Sequence, residues 1–505
     1  MTTRVLVVGA GPVGLTAACQ LARLGVDVRV VEKLAAPTTE SRAVGVHARS
    51  LEMFAALGVL PRLEARGRRI AALQMSDGRT GHLRARMDLA DVPTRHPYVL
   101  DVAQPDTEAV LTERATELGV SIERGVALTG LTQDTLGVDV TFSDGRTDRV
   151  GWVVGADGGH SAVRRLVGEQ LHGSFQGQHF AMADVDIDTS LSRDLIHMFT
   201  HPDGMAMVFP LAGHRARLMF LVDGTDPAGP TMEQIQALAE TRMGGRVQAH
   251  HPRWLTYFEV HHAQVSSYRH GRVFLAGDAA HVHSPAGAQG MNTGVQDAAN
   301  LAWKLALVVR GVADEALLDT YQAERHPVGA AVVRQTTVLT DLGAATGLLG
   351  LLRDAVYFVA GHSRRVAAAA ATRMAEITIG YPRGPLGVQR GGALPAGEHC
   401  PDPAELRDAD GTPVSVESLL ARPGFLLLTR NRSAQLRLGE IGTVIVLDSA
   451  TDPLGLGDGM ALVRPDGYLG LVSATADQEV VDGYLAAKIG DVAPASVRRP
   501  SALAG

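Results

Sequence analysis

An apolar run at residues 5–9 carries straight into GAGPVG, and no other feature limits the fold of this chain as strongly. Gly9, Gly11 and Gly14 allow a tight strand-to-helix turn and close approach of backbone to a ligand, with Pro12 and Val13 completing the turn. The helix that follows ends at Gly25, a C-cap residue, and a second apolar run at 27–32 ends in Glu32 and Lys33. A helix N-terminus facing phosphate charge, with an acid roughly 20 residues on for ribose hydroxyls, is a dinucleotide-binding βαβ unit. Alone it suits NAD or FAD. A second strand-Gly-Asp element, RVFLAGDAAHVHSPAGAQGMN at 272–292, leads through Pro and Gly into a helix and points to FAD.

The chain has 505 residues, enough for two to four domains. Its net charge of −7 offers no electrostatic footprint for nucleic acid or an anionic membrane. Cys19 and Cys400 are the only cysteines, which excludes a disulfide framework and a cysteine-rich metal site and fits a reducing cytoplasm. The first strand begins at once, so no signal peptide is expected. The apolar stretch 342–371 is interrupted by Arg353, Asp354, Arg364 and Arg365 and does not read as a spanning helix.

The patterning predicts an α/β protein. Residues 1–176 form the first part of a nucleotide-binding domain, with a short excursion at about 74–98 into a second domain. Helices are expected at 48–57 and at 106–118, the latter after Pro105 with Asp106 as cap. Residues 177–265 change character: 204–211 and 215–223 alternate in the antiparallel manner and predict an inserted β-sheet domain. Met205, Met207 and Phe209 share one face, with Met219 opposite, and the alternatives are ordinary core or the wall of a binding pocket. Arg215 and Arg217 are expected to face solvent. The nucleotide-binding fold resumes over 266–380 with a long helix at 291–310, and 381–403 is a Gly/Pro-rich linker. Strands at 424–430, 442–448 and 461–472 and a helix at 475–488 give 404–505 the order of a thioredoxin-like domain without CxxC. Such a domain suits a structural role or an oligomer contact, a homodimer included.

With GAGPVG at 9–14, GADGGHS at 155–161, LAGDAAHVHSPAGAQGMN at 275–292 and RPDG at 464–467 in order, the chain resembles the class A FAD-dependent aromatic hydroxylases of the p-hydroxybenzoate hydroxylase fold. It is most similar to the phenol-hydroxylase-like and actinomycete polyketide hydroxylases with a C-terminal thioredoxin-like domain. The resemblance implies an FAD-binding Rossmann-like domain, an inserted substrate sheet and that third domain. It places Gly9, Gly11, Pro12, Val13, Gly14, Glu32, Lys33, Arg42, Gln104, Leu128, Asp157, Asp278, Gly290, Met291 and Asn292 around FAD. Arg42 would lie along the pyrophosphate, Gln104 near the ribityl chain, the Leu128 backbone at the adenine and Asp278 on a ribityl hydroxyl. Asp157 would serve both flavin-domain structure and NAD(P)H. Pro285, Gly287, Gln289 and Gly290 would form the flavin-edge loop, the catalytic element, with no classical acid or base. The helix N-terminus there favours the anionic reduced flavin. Relatives commonly carry GGQG before Met-Asn; here Ala288 stands second, strained if that position needs positive φ.

The resemblance further implies that NADPH or NADH reduces FAD, that O2 adds at flavin C4a, and that the hydroperoxide oxygenates an electron-rich aromatic ring. The product is a hydroxylated phenolic, polycyclic polyketide; Met205, Met207, Phe209, Met219 and Pro285 would line its pocket. A Baeyer–Villiger-type or ring-modifying oxidation by the same flavoprotein chemistry is the alternative, and an FAD-holding protein without turnover is a third. Trp152, Trp254 and Trp303 form no WxWxIP segment, which disfavours a flavin halogenase. No metal is required: His250-His251, His261-His262 and His281-His283 lack the spacing of a metal frame. No nucleic acid or membrane partner is expected.

Overall fold

In the computed structural model the run Val5–Val8 is the fully buried middle of a six-stranded sheet. The structure describes residues 4–41, 43–174, 178–283, 288–344 and 363–490. The sheet runs Arg269–His270, Val273–Leu275, Trp152–Gly155, Val5–Val8, Val28–Glu32, Ser121–Arg124, parallel throughout except at its first strand. Continuous apolar strands such as these need cover on both faces. Helices Pro12–Arg23 and Gly290–Val309 pack together, and Val13 fills the space that two glycines leave: a Cβ on Gly277 or Gly294 would come within 2.9 or 2.5 Å of its Cγ2. Helix Gln104–Glu117 lies alongside Pro12–Arg23. It starts earlier than expected, with Ala103 as N-cap, Pro105 inside the first turn and Asp106 an ordinary first-turn acid. Proline's fixed φ and missing N–H suit the first turn itself, so it opens the helix instead of preceding it.

A seven-stranded sheet forms the second body, in the order Val247–Glu259, His179–Thr189, Arg215–Val222, Ala206–Pro210, Leu195–Thr200, Ala72–Asp77, Leu83–Asp88. Neighbours are antiparallel except Leu195–Thr200 beside Ala72–Asp77, which run parallel, so two distant stretches of chain build one sheet. The two-residue period divides its side chains. Ala183, Val185, Leu218 and Phe220 pack under helix Met232–Met243, whose start is fixed by a Thr231/Gln234 capping box. Phe180, Met182, Met207, Phe209 and Met219 point the other way and share a cluster with Val44, Val99 and the helix Arg364–Met374 through Ala371.

The C-terminal sheet runs Val388–Arg390, Leu469–Ser473, Met460–Val463, Phe425–Thr429, Gly442–Val446. Phe425–Thr429 pairs parallel with Gly442–Val446 and antiparallel with Met460–Val463, and helix Gln478–Lys488 follows. The Gly/Pro-rich stretch 381–403 does more than connect. Its Val388–Arg390 is the first strand of this sheet, and Tyr381, Leu386 and Cys400 are buried, because apolar residues spaced among the glycines find cores on both sides. Cys19 and Cys400 are both free and buried, and burial pushes the Cys19 thiol up to about 12. Among the described residues no helix is long and apolar enough to cross a membrane.

Candidate active site

The glycine turn at the C-terminal end of Val5–Val8 is packed as tightly as backbone permits. A Cβ on Gly14 would fall 2.0 Å from the carbonyl oxygen of Gly9, and one on Gly9, at φ +107°, would fall 2.3 Å from that of Ala156. A Cβ on Gly11 would meet nothing within 4 Å, so open space lies in front of the first turn of the helix. That is the opening a pyrophosphate needs at a helix N-terminus. Glu32 sits beside it, accepting the backbone N–H of Ala10 at 2.8 Å and that of Leu34 at 2.9 Å, while Lys33 is exposed. Arg124, the register partner of Glu32, buries an Nη2 that has no hydrogen-bond partner among the described residues. An acid for hydroxyls, an uncommitted guanidinium nitrogen and an open helix end fit an adenine dinucleotide. Sequence reasoning missed Arg124, which no motif marks.

Gln104 ties this region together. Its backbone N–H donates to Ser41 Oγ at 3.1 Å, and its amide oxygen accepts from the N–H of Ala43 at 3.2 Å, on either side of Arg42. Arg42 itself, like Pro285 and Gly287, lies outside the described residues. Leu128 buries its side chain at the start of the strand Leu128–Gln133. Asp157 is occupied as a helix cap: it accepts from Ser161 Oγ at 2.5 Å and from the Ala162 N–H at 2.6 Å. Arg164 of that helix donates to the carbonyls of Ala279, at 3.1 Å, and Gly159, at 2.5 Å, joining the two glycine-aspartate motifs. Asp278 is exposed in the 3-10 turn Gly277–Ala279.

The helix Gly290–Val309 begins at the segment expected to meet the flavin edge, with Gln289 as N-cap and Met291 and Asn292 buried. Ala288 adopts φ +53°, so the expected strain at this position is present. Asn292 turns its side chain inward. It donates to the carbonyls of Gly45 at 2.9 Å and Ala288 at 2.7 Å and accepts the N–H of His47 at 2.9 Å, which leaves the backbone to meet a ligand. Behind the helix start, Asp297 accepts from Arg325 Nε and pairs with His281 Nε2, both at 2.7 Å and all buried. Burial pushes the Asp297 carboxyl up, but Arg325 and His281 outweigh it and hold it below its usual range. His281 stacks on His283 in the flavin motif. His250 and His251 lie elsewhere, on the edge strand Val247–Glu259 beside Asp186.

The side of the seven-stranded sheet away from helix Met232–Met243 carries the sequence-predicted pocket residues. Met207 and Met219 are directly opposed, Phe209 is opposed to Arg217, and Met205 is half-buried. Arg217 corrects the solvent-facing expectation: it is 2% exposed and holds Asp184 with two bonds, Nε to Oδ1 at 2.7 Å and Nη2 to Oδ2 at 2.9 Å. Its parity places it on the Met219 face, and the partner acid on the adjacent strand makes the burial possible. Also on this side, Glu376 follows helix Arg364–Met374 with φ +62° and accepts from Gln296 Nε2 at 2.5 Å. Burial pushes its carboxyl up to about 8.

Residues 2–336 match the family described as the FAD binding domain. The chain belongs to this FAD-binding family. The flavoprotein is 38% identical to 6-methylpretetramide 4-monooxygenase of Streptomyces rimosus, over 92% of its own length and 90% of that protein's. Its fold superimposes on the anhydrotetracycline hydroxylase OxyS of Streptomyces rimosus with a TM-score of 0.81, at 32% identity, covering 97% of this chain and all of that one. The aromatic hydroxylase CabE, from angucycline biosynthesis, gives 0.80 at 32% identity over 97% and 99% of the two chains. The flavoprotein is thus an FAD-dependent monooxygenase of the aromatic-hydroxylase class, with NAD(P)H as its electron donor.

Proposed function

We propose that this monooxygenase hydroxylates a polycyclic phenolic substrate of the aromatic polyketide kind. One observation carries the reading: the wall of the apolar cluster between the sheet and the flavin-edge segment is rich in methionine. Met182, Met207 and Met219 lie on the sheet face, with Met198, Met205 and Met374 packed against them. Unbranched thioethers adapt to broad fused rings where a small phenol would call for a tight, rigid slot. The names of the similar proteins, a pretetramide monooxygenase and an anhydrotetracycline hydroxylase, point the same way.

Bound FAD, reduced by NAD(P)H, supplies the activation of O2. The chain's own residues bind, orient and keep water out. The Gly9–Gly14 turn and Arg42 would hold the pyrophosphate, Glu32 the ribose and Asp278 the ribityl chain. The N-terminus of Gly290–Val309, with the positive end of its dipole, favours negative charge on the flavin. Gln289 and Gly290, at the start of that helix, would orient the ring, and the family resemblance adds Pro285 and Gly287 to them. The apolar face excludes water, which limits loss of the activated oxygen as peroxide.

The test is turnover of a panel of phenols and polycyclic hydroxyquinones with NAD(P)H, peroxide release and product mass under 18O2. Tight coupling with polycyclic phenols, and a product with one labelled oxygen in place of an aromatic hydrogen, is the expected result. Coupling as good with simple phenol overturns the polycyclic reading, and a labelled lactone replaces hydroxylation with Baeyer–Villiger chemistry.

A further inference from the structure

Asp101 ends the strand Val99–Asp101 at the junction of the FAD-binding domain and the substrate sheet. Val99, two residues back and on the same side of the strand, packs into the cluster of Met207 and Met219, whereas Leu100 between them packs into the nucleotide-binding core. The Asp101 side chain therefore turns toward the methionine-lined face. A Cβ on Gly45 would lie 3.6 Å from Asp101 Oδ1 and 3.1 Å from the Ala288 Cβ, so the carboxyl stands beside the flavin-edge segment. The side chain is fully buried, and neither carboxyl oxygen has a hydrogen-bond partner among the described residues. Arg217 is near enough for its charge to be felt, but its guanidinium is committed to Asp184.

A buried carboxyl with both oxygens unmet costs stability. Such a cost is retained where a ligand completes the hydrogen bonds. Burial pushes this carboxyl well above its ordinary range, against the pull of Arg217, and so favours its neutral acid form, which both donates and accepts. That pair of capacities matches a ring bearing a phenolic hydroxyl next to a carbonyl. A site built to hydrogen-bond a hydroxyl also rejects the analogue lacking it far more strongly than an apolar wall rejects a wrong shape.

We propose that Asp101 is a specificity-determining residue whose carboxyl hydrogen-bonds a phenolic hydroxyl or ring carbonyl of the bound polycycle. The proposal rests on the polycyclic-phenol reading above. It adds that oxygenation pattern, and not ring shape alone, selects the substrate.

The experiment uses the FAD-loaded enzyme and two tricyclic probes, danthron, which carries hydroxyls beside a ring carbonyl, and anthraquinone, which lacks them. Wild type binds danthron about tenfold or more tighter than anthraquinone, a ratio set by one satisfied hydrogen-bonding group. Asp101→Leu removes the preference by weakening danthron alone, and Asp101→Asn, which keeps a donor and an acceptor, retains most of it. Asp101→Leu also raises the melting temperature of the probe-free enzyme, because an unmet polar group has gone; a merely structural aspartate would lower it. Undiminished preference for danthron in Asp101→Leu overturns the proposal, and if that variant fails to fold, Asp101→Ala, which likewise lacks a side-chain donor and acceptor, is read for the same ratio. If neither tricycle binds wild type, the polycyclic reading falls, and naphthol against naphthalene then decides Asp101 by itself.

Discussion

Arg464, just after the strand Met460–Val463, lays Nη1 and Nη2 on the two carboxylate oxygens of Glu324, at 2.7 and 2.9 Å, deep inside the FAD-binding part of the chain. Lys304 Nζ reaches the same carboxylate at 2.8 Å, and Asp466 balances the excess of positive charge, accepting from Arg464 Nε at 3.0 Å and from Trp303 Nε1 at 3.0 Å. Burial drives the Glu324 carboxyl up, but Arg464 and Lys304 outweigh it and hold it at about 2. The RPDG hairpin is thus a charged plug, and the C-terminal sheet that bears it is locked to the FAD-binding part of the chain.

Arg464→Met leaves Asp466 and part of Glu324 uncompensated in the interior. Breaking a buried pair by removing one partner costs about 3–5 kcal/mol. Urea unfolding should show the midpoint falling accordingly, and the double variant Arg464→Met, Asp466→Leu should recover part of the loss. A single variant as stable as wild type would show that the hairpin is not a lock.

Asp278→Ala removes the exposed carboxylate that we assign to the ribityl chain of FAD. A charge-assisted hydrogen bond of about 1.5–3 kcal/mol corresponds to roughly ten- to a hundredfold in FAD affinity. Fluorescence titration of the apoprotein measures it, and unchanged affinity would remove Asp278 from the site.

Ala288→Gly relieves a side chain held at φ +53°. The left-handed region costs a non-glycine residue about 1 kcal/mol. The variant should melt higher when loaded with FAD and bind FAD at least as tightly as wild type. A lower melting temperature would mean that the alanine methyl contributes packing that exceeds the strain.

Glu376 gives stability a pH dependence of defined sign. Its folded carboxyl is raised from 4.5 to about 8, so between those values the unfolded chain releases a proton that the folded chain keeps. This contribution to stability is complete below about pH 4.5, declines as pH rises through the window and is lost above about 8. Glu376→Gln should flatten the difference between unfolding free energies measured at pH 6 and pH 8.5 relative to wild type. Parallel pH profiles of the two proteins would show that the carboxyl is already ionised when folded.

Much of this architecture was legible in the chain because local chemistry and tertiary role coincide. The glycines at 9–14 are where strand, helix and ligand space meet, and residues 205–219 alternate as a sheet with two different faces must. Arg217 was misread because a charge outweighed parity, although residues 217 and 219 share a face. Its burial depends on Asp184, a partner 33 positions away, and pairings of that range leave no local trace. Asp101, Arg124 and Glu376 were silent for the same reason: a carboxyl or guanidinium without periodic or motif context reads as surface until the fold buries it. The strand inside 381–403 was hidden by its glycines and prolines, which signal turns whether or not a sheet edge waits nearby.

The parallel seam between Ala72–Asp77 and Leu195–Thr200 has a consequence for the birth of the protein. The hairpin of Ala72–Asp77 and Leu83–Asp88 emerges from the ribosome well before the strands that complete its sheet, the first of which begins at His179 and the last of which ends at Glu259. Until Leu195–Thr200 follows, the edge of Ala72–Asp77 that pairs with it has no partner strand. Contacts of this sequence separation are slow to form and expose aggregation-prone surface meanwhile. The seven-stranded sheet therefore cannot be excised or swapped as a cassette, and recombination between relatives should succeed only where both stretches, 72–88 and 179–259, travel together.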